Sequence, residues 1–428
     1  MESVITKEKN IKERMKDNVR LYTKYRMIGY DVLFYYAISI LYFTIAKGLS
    51  MTEVVFLSSV YTLSIAIWQM FCNLFVEKIG IKKSIVIGNF FACMMVVLYL
   101  VGPNFWFLAL ANVIGALGFS LKSIGESTLL YESLTILKRP SLFTKFEGIA
   151  NSRYFYVDAI LSIAAGYLFL LSPYLPMVLC LICMASALVI STKFYPTSNH
   201  SVKHVKIKEY VRGLKKVIKS TRARSLLFFA FFIAGMVSAN TTLYKAVILD
   251  FNITSDVLAY IVCIFTIVIG FGAKQAKNLE KELKNKTLIF ILIVLCSMLA
   301  MIGLIGLTVT YSLAKIVMIV LCLCVMGMMI GSYRVLIRKY ITSFTTEEVR
   351  TKIASLYSMA ENLGGTALLF ISGIILTRYT NAFTAVAISC LVLFVGITIY
   401  KYADKRLGLK PEEYKPEEIN YIDVNAKM

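Results

Sequence analysis

Ionisable side chains inside long apolar stretches are the residues most capable of chemistry in this sequence. Arg153 and Asp158 lie in one such stretch and Glu361 in another, roughly 10–18 Å from its start at about 1.5 Å per helical residue. A charge near the centre of a bilayer costs roughly 2.5–3.5 kcal/mol on insertion scales, so it must face a cavity or a partner. A carboxylic acid there can bind and release a proton, and an arginine can modulate it or meet an anionic ligand group. We expect Glu361 or Asp158 to titrate.

Five further ionisable residues lie in apolar stretches at positions where a charge is easier to accommodate. Asp31, Glu126 and Arg334 are near the ends of their stretches, where a charge costs little. Lys122 and Glu126 are four residues apart and can pair on one helix, while Lys245 can extend its ammonium group outward. A buried structural ion network is the alternative interpretation. The candidate proton-coupling residues are Asp158, Glu361, Arg153, Glu126 and Asp31.

Aromatic and polar residues on the same stretches are candidates for the wall of a ligand cavity. Such a wall suits a bulky amphipathic ligand, and an asparagine adds a hydrogen-bonding group. Packing between helices, or a position at the membrane interface, is the alternative for the aromatic residues. The candidate cavity residues are Tyr35, Trp68, Gln69, Asn240, Lys245 and Tyr357.

No motif predicts a metal site, a cofactor or an enzymatic activity. His200 and His204 are four residues apart, but no third ligand accompanies them. The nine cysteines lie in apolar stretches, where they serve as small apolar side chains. There is no G-x-x-x-x-G-K-[ST], so we expect no nucleotide-driven step.

The elements that must position these residues are membrane-spanning helices. Hydrophobic residues make up 58% of the 428 and charged residues 17%, whereas soluble domains are about 45–50% apolar and 25% charged. Apolar stretches of about 20 residues, the length that crosses a bilayer, recur along nearly the whole chain. The sequence predicts an all-α membrane protein with twelve transmembrane helices near 28–46, 54–76, 85–102, 105–130, 146–170, 175–195, 225–249, 257–273, 287–309, 312–335, 353–377 and 382–400.

The basic residues predict the orientation of these helices. The net charge of +21 would also suit nucleic acid, but Lys and Arg concentrate in alternate connections between apolar stretches. That asymmetry is the positive-inside pattern. We therefore expect a multi-pass protein of the cell membrane with both termini in the cytoplasm, and no nucleic-acid partner.

A long connection divides the chain into two six-helix halves. The predicted parts are an N-terminal cytoplasmic segment, a first half, a basic linker, a second half and a cytoplasmic tail, at 1–27, 28–195, 196–224, 225–400 and 401–428. In the linker, Ile207, Val211, Leu214 and Ile218 recur at helical spacing among basic residues. This pattern favours an amphipathic helix on an anionic leaflet, with a solvated linker as the alternative.

Two motifs resemble those of the major facilitator superfamily. The sequence from Glu77 to Ser84, E-K-I-G-I-K-K-S, resembles the loop between helices 2 and 3 of that family, G-x-x-x-D-R-x-G-R-K. Asn73 replaces its leading glycine and Ile81 its second arginine. The sequence from Gly125 to Leu134 is similar to the end of helix 4 in the bacterial drug:proton antiporter 3 branch, which includes macrolide-efflux and multidrug exporters. The predicted gating-loop residues are Glu77, Lys78, Gly80, Lys82 and Lys83.

Two departures from that branch concern proton coupling. Gln69 stands where the branch often has an acidic residue, and an amide cannot carry a proton in that way. The antiporter motif of helix 5, G-P-x-x-G-G, is replaced by the sequence from Ser162 to Gly166. Any coupling must then use other carboxylates.

These features together predict a secondary active transporter of the major facilitator fold. The resemblance implies alternating access between the halves and proton-coupled efflux of an amphipathic small molecule or drug. A proton-coupled importer of a sugar, amino acid or peptide is the alternative, and a receptor or lipid-handling protein on the same scaffold is a third. The expected partners are a small-molecule substrate, protons and the lipid bilayer, with the chain acting as a monomer.

Overall fold

The computed structural model describes residues 2–197, 221–283, 286–308, 313–343 and 347–406, and these residues are helical apart from short connections. Helices prevail because a chain in lipid must satisfy its backbone hydrogen bonds within each segment. The helices are α1 Glu2–Gly29, α2 Ser39–Leu41, α3 Met51–Ile79, α4 Ile81–Val101, α5 Phe105–Ile136, α6 Phe143–Leu171, α7 Leu175–Thr192, α8 Thr221–Leu249, α9 Ser255–Leu283, α10 Thr287–Gly306, α11 Leu313–Ser343, α12 Glu347–Leu376 and α13 Asn381–Arg406. A π-helical turn, Tyr42–Ala46, continues α2, and a 3₁₀ turn, Pro140–Leu142, precedes α6.

Eleven helices in the described part of the chain are long and apolar enough to cross a membrane. They are α3 to α13, and they coincide with the second to twelfth predicted spans. The all-α membrane class is thereby confirmed. The predicted linker helix, His200 and His204 lie outside the described residues, as does the tail from residue 407 onward.

The first predicted span, 28–46, is wrong as a continuous helix. Helix α1 ends at Gly29, the chain bends through residues 30–38, and Phe34 adopts a left-handed conformation with φ 62°. Asp31 accepts a hydrogen bond from the Val32 amide at 2.9 Å, a local bond that competes with helical bonding. We call residues 30–38 the interruption.

The interrupted segment nevertheless crosses its helix bundle. On one side of the interruption, Tyr25 packs in a buried cluster with Ile85 of α4 and Leu134 of α5. On the other side, the Lys47 ammonium donates to the carbonyls of Leu100 and Gly102, at 2.7 and 3.1 Å, where α4 turns into α5. The first predicted span therefore extends along unit 1 as a broken helix.

The helices form two compact units. Unit 1 consists of Met1–Lys47 with Ile67–His204, and unit 2 consists of Gly48–Ala66 with Val205–Met428, so the division falls within α3. By chain order, the start of α4, the end of α5, the start of α6 and the end of α7 share one end of unit 1. We call this the basic end, because Lys82, Lys83, Lys138, Arg139 and Lys193 lie there.

Each unit contains close backbone approaches between helices. In unit 1, a β-carbon on Gly88 of α4 would lie 2.7 Å from the Gly118 carbonyl oxygen of α5, and the converse distance is also 2.7 Å. In unit 2, the Ser332 hydroxyl of α11 donates to the Gly272 carbonyl of α9 at 2.9 Å. Small residues let membrane helices approach closely where packing, and not the hydrophobic effect, holds them together.

Candidate functional site

A buried arginine organises the polar interior of unit 1. Arg26, which is 5% exposed and lies in the last turn of α1, forms ion pairs with Glu126 of α5 and with Glu147 of α6, the latter at 3.1 Å. Its guanidinium also donates to the Asn151 side-chain oxygen at 3.0 Å and lies 4.2 Å from the centre of the Tyr30 ring. Three helices thus meet at one cation.

Two tyrosines of α1 satisfy the remaining oxygens of these carboxylates. Tyr22 donates to Glu147 and Tyr25 donates to Glu126, each at 2.5 Å. The Tyr25 hydroxyl in turn accepts from the Asn89 amide of α4 at 2.7 Å. Together with Arg26 and Asn151, these residues form what we call the arginine network. A buried ion pair tolerates its desolvation only with such additional hydrogen bonds.

A second buried cation lies next to the interruption. Lys122 of α5 is 1% exposed and donates to the carbonyl of Gly29, the last residue of α1, at 2.5 Å. Its ammonium lies 4.3 Å from the centre of the Phe119 ring. A cation is favourable at a helix C-terminus, where the final carbonyls lack helical partners.

The expected pairing of Lys122 with Glu126 is therefore not what the structure contains. Glu126 pairs with Arg26, while Lys122 binds a backbone carbonyl. Sequence reasoning missed Arg26 and Glu147, since both lie at or beyond the edges of predicted spans. A signal was present: Met15, Val19, Tyr22 and Arg26 recur every three or four residues, which is the buried face of a helix.

The other predicted site residues of unit 1 are distributed over several places. Asp31, in the interruption, accepts from the Tyr36 hydroxyl at 2.7 Å. Asp158 is 6% exposed on α6, one turn from the buried Tyr154, whereas Arg153 is exposed. The structure does not bring Arg153 to Asp158, because five helical residues separate their faces.

The predicted cavity residues of unit 1 lie near the interruption and along α3. The ring of Tyr35 stacks on that of Tyr99, with centres 6.0 Å apart. Trp68 donates its indole N–H to the Val113 carbonyl of α5 at 3.2 Å. The side-chain oxygen of Gln69 is buried and has no hydrogen-bond partner among the described residues.

In unit 2, the predicted site residues lie on α8 and α12. Glu361 of α12 is half-buried and accepts from the Tyr333 hydroxyl of α11 at 2.8 Å. Tyr357, one turn before Glu361, is 1% exposed. Asn240 of α8 is 0% exposed, and neither of its side-chain polar atoms has a hydrogen-bond partner in the described part of the chain. Lys245, five residues later, is 6% exposed.

The predicted gating loop joins α3 to α4. Gly80 has φ 93°, a conformation that other residues rarely adopt, so it permits the tight turn. Lys78 and Lys83 are exposed, Lys82 is partly exposed, and the side chain of Glu77 lies outside the described residues. The loop thus presents cations at the basic end.

The described residues contain no group of three His, Cys, Asp or Glu side chains that could hold a metal ion.

Comparisons with known proteins place this arrangement in a family. The profile of the Major Facilitator Superfamily matches residues 27–314. No curated protein matches the sequence. Similar solved structures include the nucleoside transporter NupG, with 12% identity, 92% of this chain and 100% of that chain covered, and a TM-score of 0.71.

Two further structures resemble the chain to a similar degree. A POT family transporter in complex with a thioalcohol conjugated peptide has 13% identity, covers 92% of this chain and 96% of its own, and has a TM-score of 0.66. A bacterial homolog of the human lysosomal transporter Spinster, inward-facing and unoccupied, has 10% identity, covers 93% and 97%, and has a TM-score of 0.64. With the family profile covering more than half of the chain, the protein belongs to the Major Facilitator Superfamily and is a multi-pass membrane transporter, not an enzyme.

Proposed function

We propose that the protein exports an amphipathic small molecule in exchange for protons, by alternating access between its two six-helix halves. The observation that carries this proposal is a carboxylate inside a span, Glu361, half-buried and hydrogen-bonded by the Tyr333 phenol. An acid kept within a span is expensive, and such residues mark ion and substrate pathways.

We assign proton binding to Glu361, with Asp158 as the second candidate. The phenol of Tyr333 donates a hydrogen bond to Glu361 within the span, where an acidic side chain marks an ion or substrate pathway. Asp158 supplies a deeply buried carboxyl group in the other unit. Glu126 has a different role: Arg26 and Tyr25 both bind it, and we assign it to holding α1 against α5.

In each unit, candidate contacts for the cargo are polar groups that have no hydrogen-bond partner among the described residues. Asn240 and the Gln69 oxygen are buried without a hydrogen bond among the described residues, and an amide of this kind selects a ligand with matching donors or acceptors. In unit 1, the partly exposed Tyr35 and Trp68 would supply aromatic surface. Such a mixture suits an amphipathic ligand, in line with the resemblance to drug:proton antiporters.

Proton-coupled import is the second candidate. The observation in its favour is the buried Asn240 amide, which has no hydrogen-bond partner among the described residues and would suit a polar cargo. A sugar, amino acid or peptide would then be the cargo, and the same carboxylates would move protons in the same direction as the cargo.

The location we propose is the cell membrane, with the basic end and both termini in the cytoplasm and the chain acting as a monomer. Support comes from the charge distribution in unit 1. The cations of the gating loop and the α5–α6 connection share the basic end, whereas the turns at 102–104 and 172–174, at the opposite end, contain no basic residue.

The test is cargo-dependent proton movement in proteoliposomes. Wild type should move protons against the direction of cargo, Glu361→Gln should lose that movement, and Asp158→Asn should weaken or lose it. Glu13→Gln removes an exposed acid of α1 and should match wild type. Protons moving with the cargo would favour import, and cargo flux without any proton movement in wild type would overturn coupling altogether.

A further inference from the structure

An open pocket lies where α1 passes the end of α7 in unit 1. Its volume is about 300 Å³, which is at the lower limit of small-molecule sites. The lining residues are Asp17, Arg20, Leu21, Lys24, Lys193 and Tyr195. We propose that this pocket binds the phosphate-bearing headgroup of an anionic membrane lipid.

The charge of the pocket selects an anion. Three cations, Arg20, Lys24 and Lys193, face one carboxylate, Asp17, which leaves an excess of two positive charges. Among the described residues, Arg20, Lys24 and Lys193 form no ion pair with an acid within 4 Å. An arginine fork with two lysine ammonium groups is a typical donor set for phosphate oxygens.

The position of the pocket identifies the source of that anion. Lys193 is the first residue after the span Leu175–Thr192, so the pocket lies at the border between the bilayer and water. It is also at the basic end, where exposed Lys83 and Arg139 lie. Headgroups are the phosphates concentrated at that depth, and basic pockets beside transmembrane helices on the cytoplasmic side bind them.

The two walls of the pocket are held together by a buried asparagine. Asn18, 1% exposed on α1, donates to the Tyr195 carbonyl at 2.9 Å and accepts from the Tyr195 amide at 2.8 Å. Beside it, the rings of Tyr25 and Phe194 meet edge to face, 5.3 Å between centres. The cations from α1 and the segment after α7 are therefore fixed relative to each other before a ligand arrives.

This fixed geometry distinguishes a pocket from general surface attraction. A diffuse basic surface attracts anionic lipid according to its total charge, wherever the charges lie. Binding in a pocket depends on which cations line it and on the hydrogen bonds between Asn18 and Tyr195 that position them. The two cases predict different results for variants with equal charge loss.

The experiment measures binding of phosphatidylglycerol to the full-length protein in detergent by native mass spectrometry, with phosphatidylcholine as reference. Wild type should prefer phosphatidylglycerol. The variant Arg20→Gln/Lys24→Gln/Lys193→Gln should lose about tenfold or more of that affinity. The matched variant Lys12→Gln/Lys16→Gln/Lys138→Gln, which removes three exposed charges outside the pocket, should stay within about twofold of wild type.

Two further arms keep the proposal open to refutation. Asn18→Ala keeps every charge and should also weaken phosphatidylglycerol binding, provided that its thermal unfolding shows a folded protein. Inorganic phosphate at millimolar concentration should compete only weakly. Equal losses in the two triple variants, no preference for phosphatidylglycerol in wild type, or displacement of the lipid by phosphate at micromolar concentration would each overturn the proposal.

Discussion

Among the described residues, the two units bury different kinds of polar side chain. In unit 1, Arg26 pairs with Glu126 and Glu147, and tyrosines bind the same carboxylates. In unit 2, Glu361 accepts from a neutral phenol, and Asn240 is buried with no hydrogen bond among the described residues. The difference indicates two uses of buried polarity. A network with a buried ion pair stabilises the fold, while a buried amide without a hydrogen bond among the described residues is available to cargo.

The largest expected effect on stability is at Arg26, in unit 1. Arg26→Gln leaves two carboxylates buried without their shared cation, and we expect the free energy of unfolding to fall by about 3–5 kcal/mol. Thermal unfolding in detergent, followed by tryptophan fluorescence, measures the effect. The control Arg139→Gln removes an exposed arginine at the same end and should change stability by less than about 0.5 kcal/mol. Equal stability of the two variants would refute the structural role of the network.

A second prediction compares one phenol in each unit. Tyr25→Phe leaves fully buried Glu126 and Asn89 without the hydroxyl between them and should cost about 1–3 kcal/mol of unfolding free energy. Tyr333→Phe removes the hydroxyl from Glu361, which is only half-buried, and should cost less. The same unfolding measurement ranks the pair. A larger loss of unfolding free energy for Tyr333→Phe than for Tyr25→Phe would contradict this ranking.

Asn240 offers a change that should separate stability from transport. Asn240→Leu keeps the branched shape and the number of heavy side-chain atoms and removes a buried amide that no described residue satisfies, so the free energy of unfolding should rise by about 1 kcal/mol. Transport should nevertheless weaken through a higher KM, since the cargo loses a hydrogen-bonding partner. Unfolding and flux assays on the same preparation decide the matter, and lower stability would mean that the amide already has a structural partner.

The smallest effect is expected at Asp250, in the connection between α8 and α9. Burial raises the pKa of Asp250 above its ordinary value of 3.8, although a hydrogen bond from Asn381 at 2.8 Å partly opposes the shift. Because the folded state disfavours the charged form, wild type should lose a little stability as pH rises above 3.8. Asp250→Asn still accepts from Asn381 and should lack that decline. Unfolding midpoints between pH 3.5 and 7 test this, and parallel curves would contradict it.

Sequence reasoning succeeded where a long apolar run decides the structure and failed where a local bond or a distant contact does. Eleven spans followed from apolar length alone. The interruption could not be predicted from apolar content, because Asp31 stops the helix through its bond to the Val32 amide. The pairing of Glu361 with Tyr333 joins two helices, and the position of neither residue in the sequence predicts the other.

The arginine network shows what kind of signal was overlooked. Arg26 and Glu147 lie at the edges of apolar stretches, where a charge costs little and therefore does not by itself predict a buried partner. Their burial follows from the helical periodicity of α1, which extends well before the first apolar stretch and places Met15, Val19 and Tyr22 on one buried face.

The central claim is that Glu361 of unit 2 couples protons to cargo, and one measurement tests it most directly. Reconstituted Glu361→Gln should still exchange labelled cargo for unlabelled cargo across the membrane, a reaction that needs no net proton movement. The same preparation should not accumulate cargo when a pH gradient is imposed, whereas wild type should do both. A Glu361→Gln protein that still accumulates cargo in response to the imposed pH gradient would contradict the account.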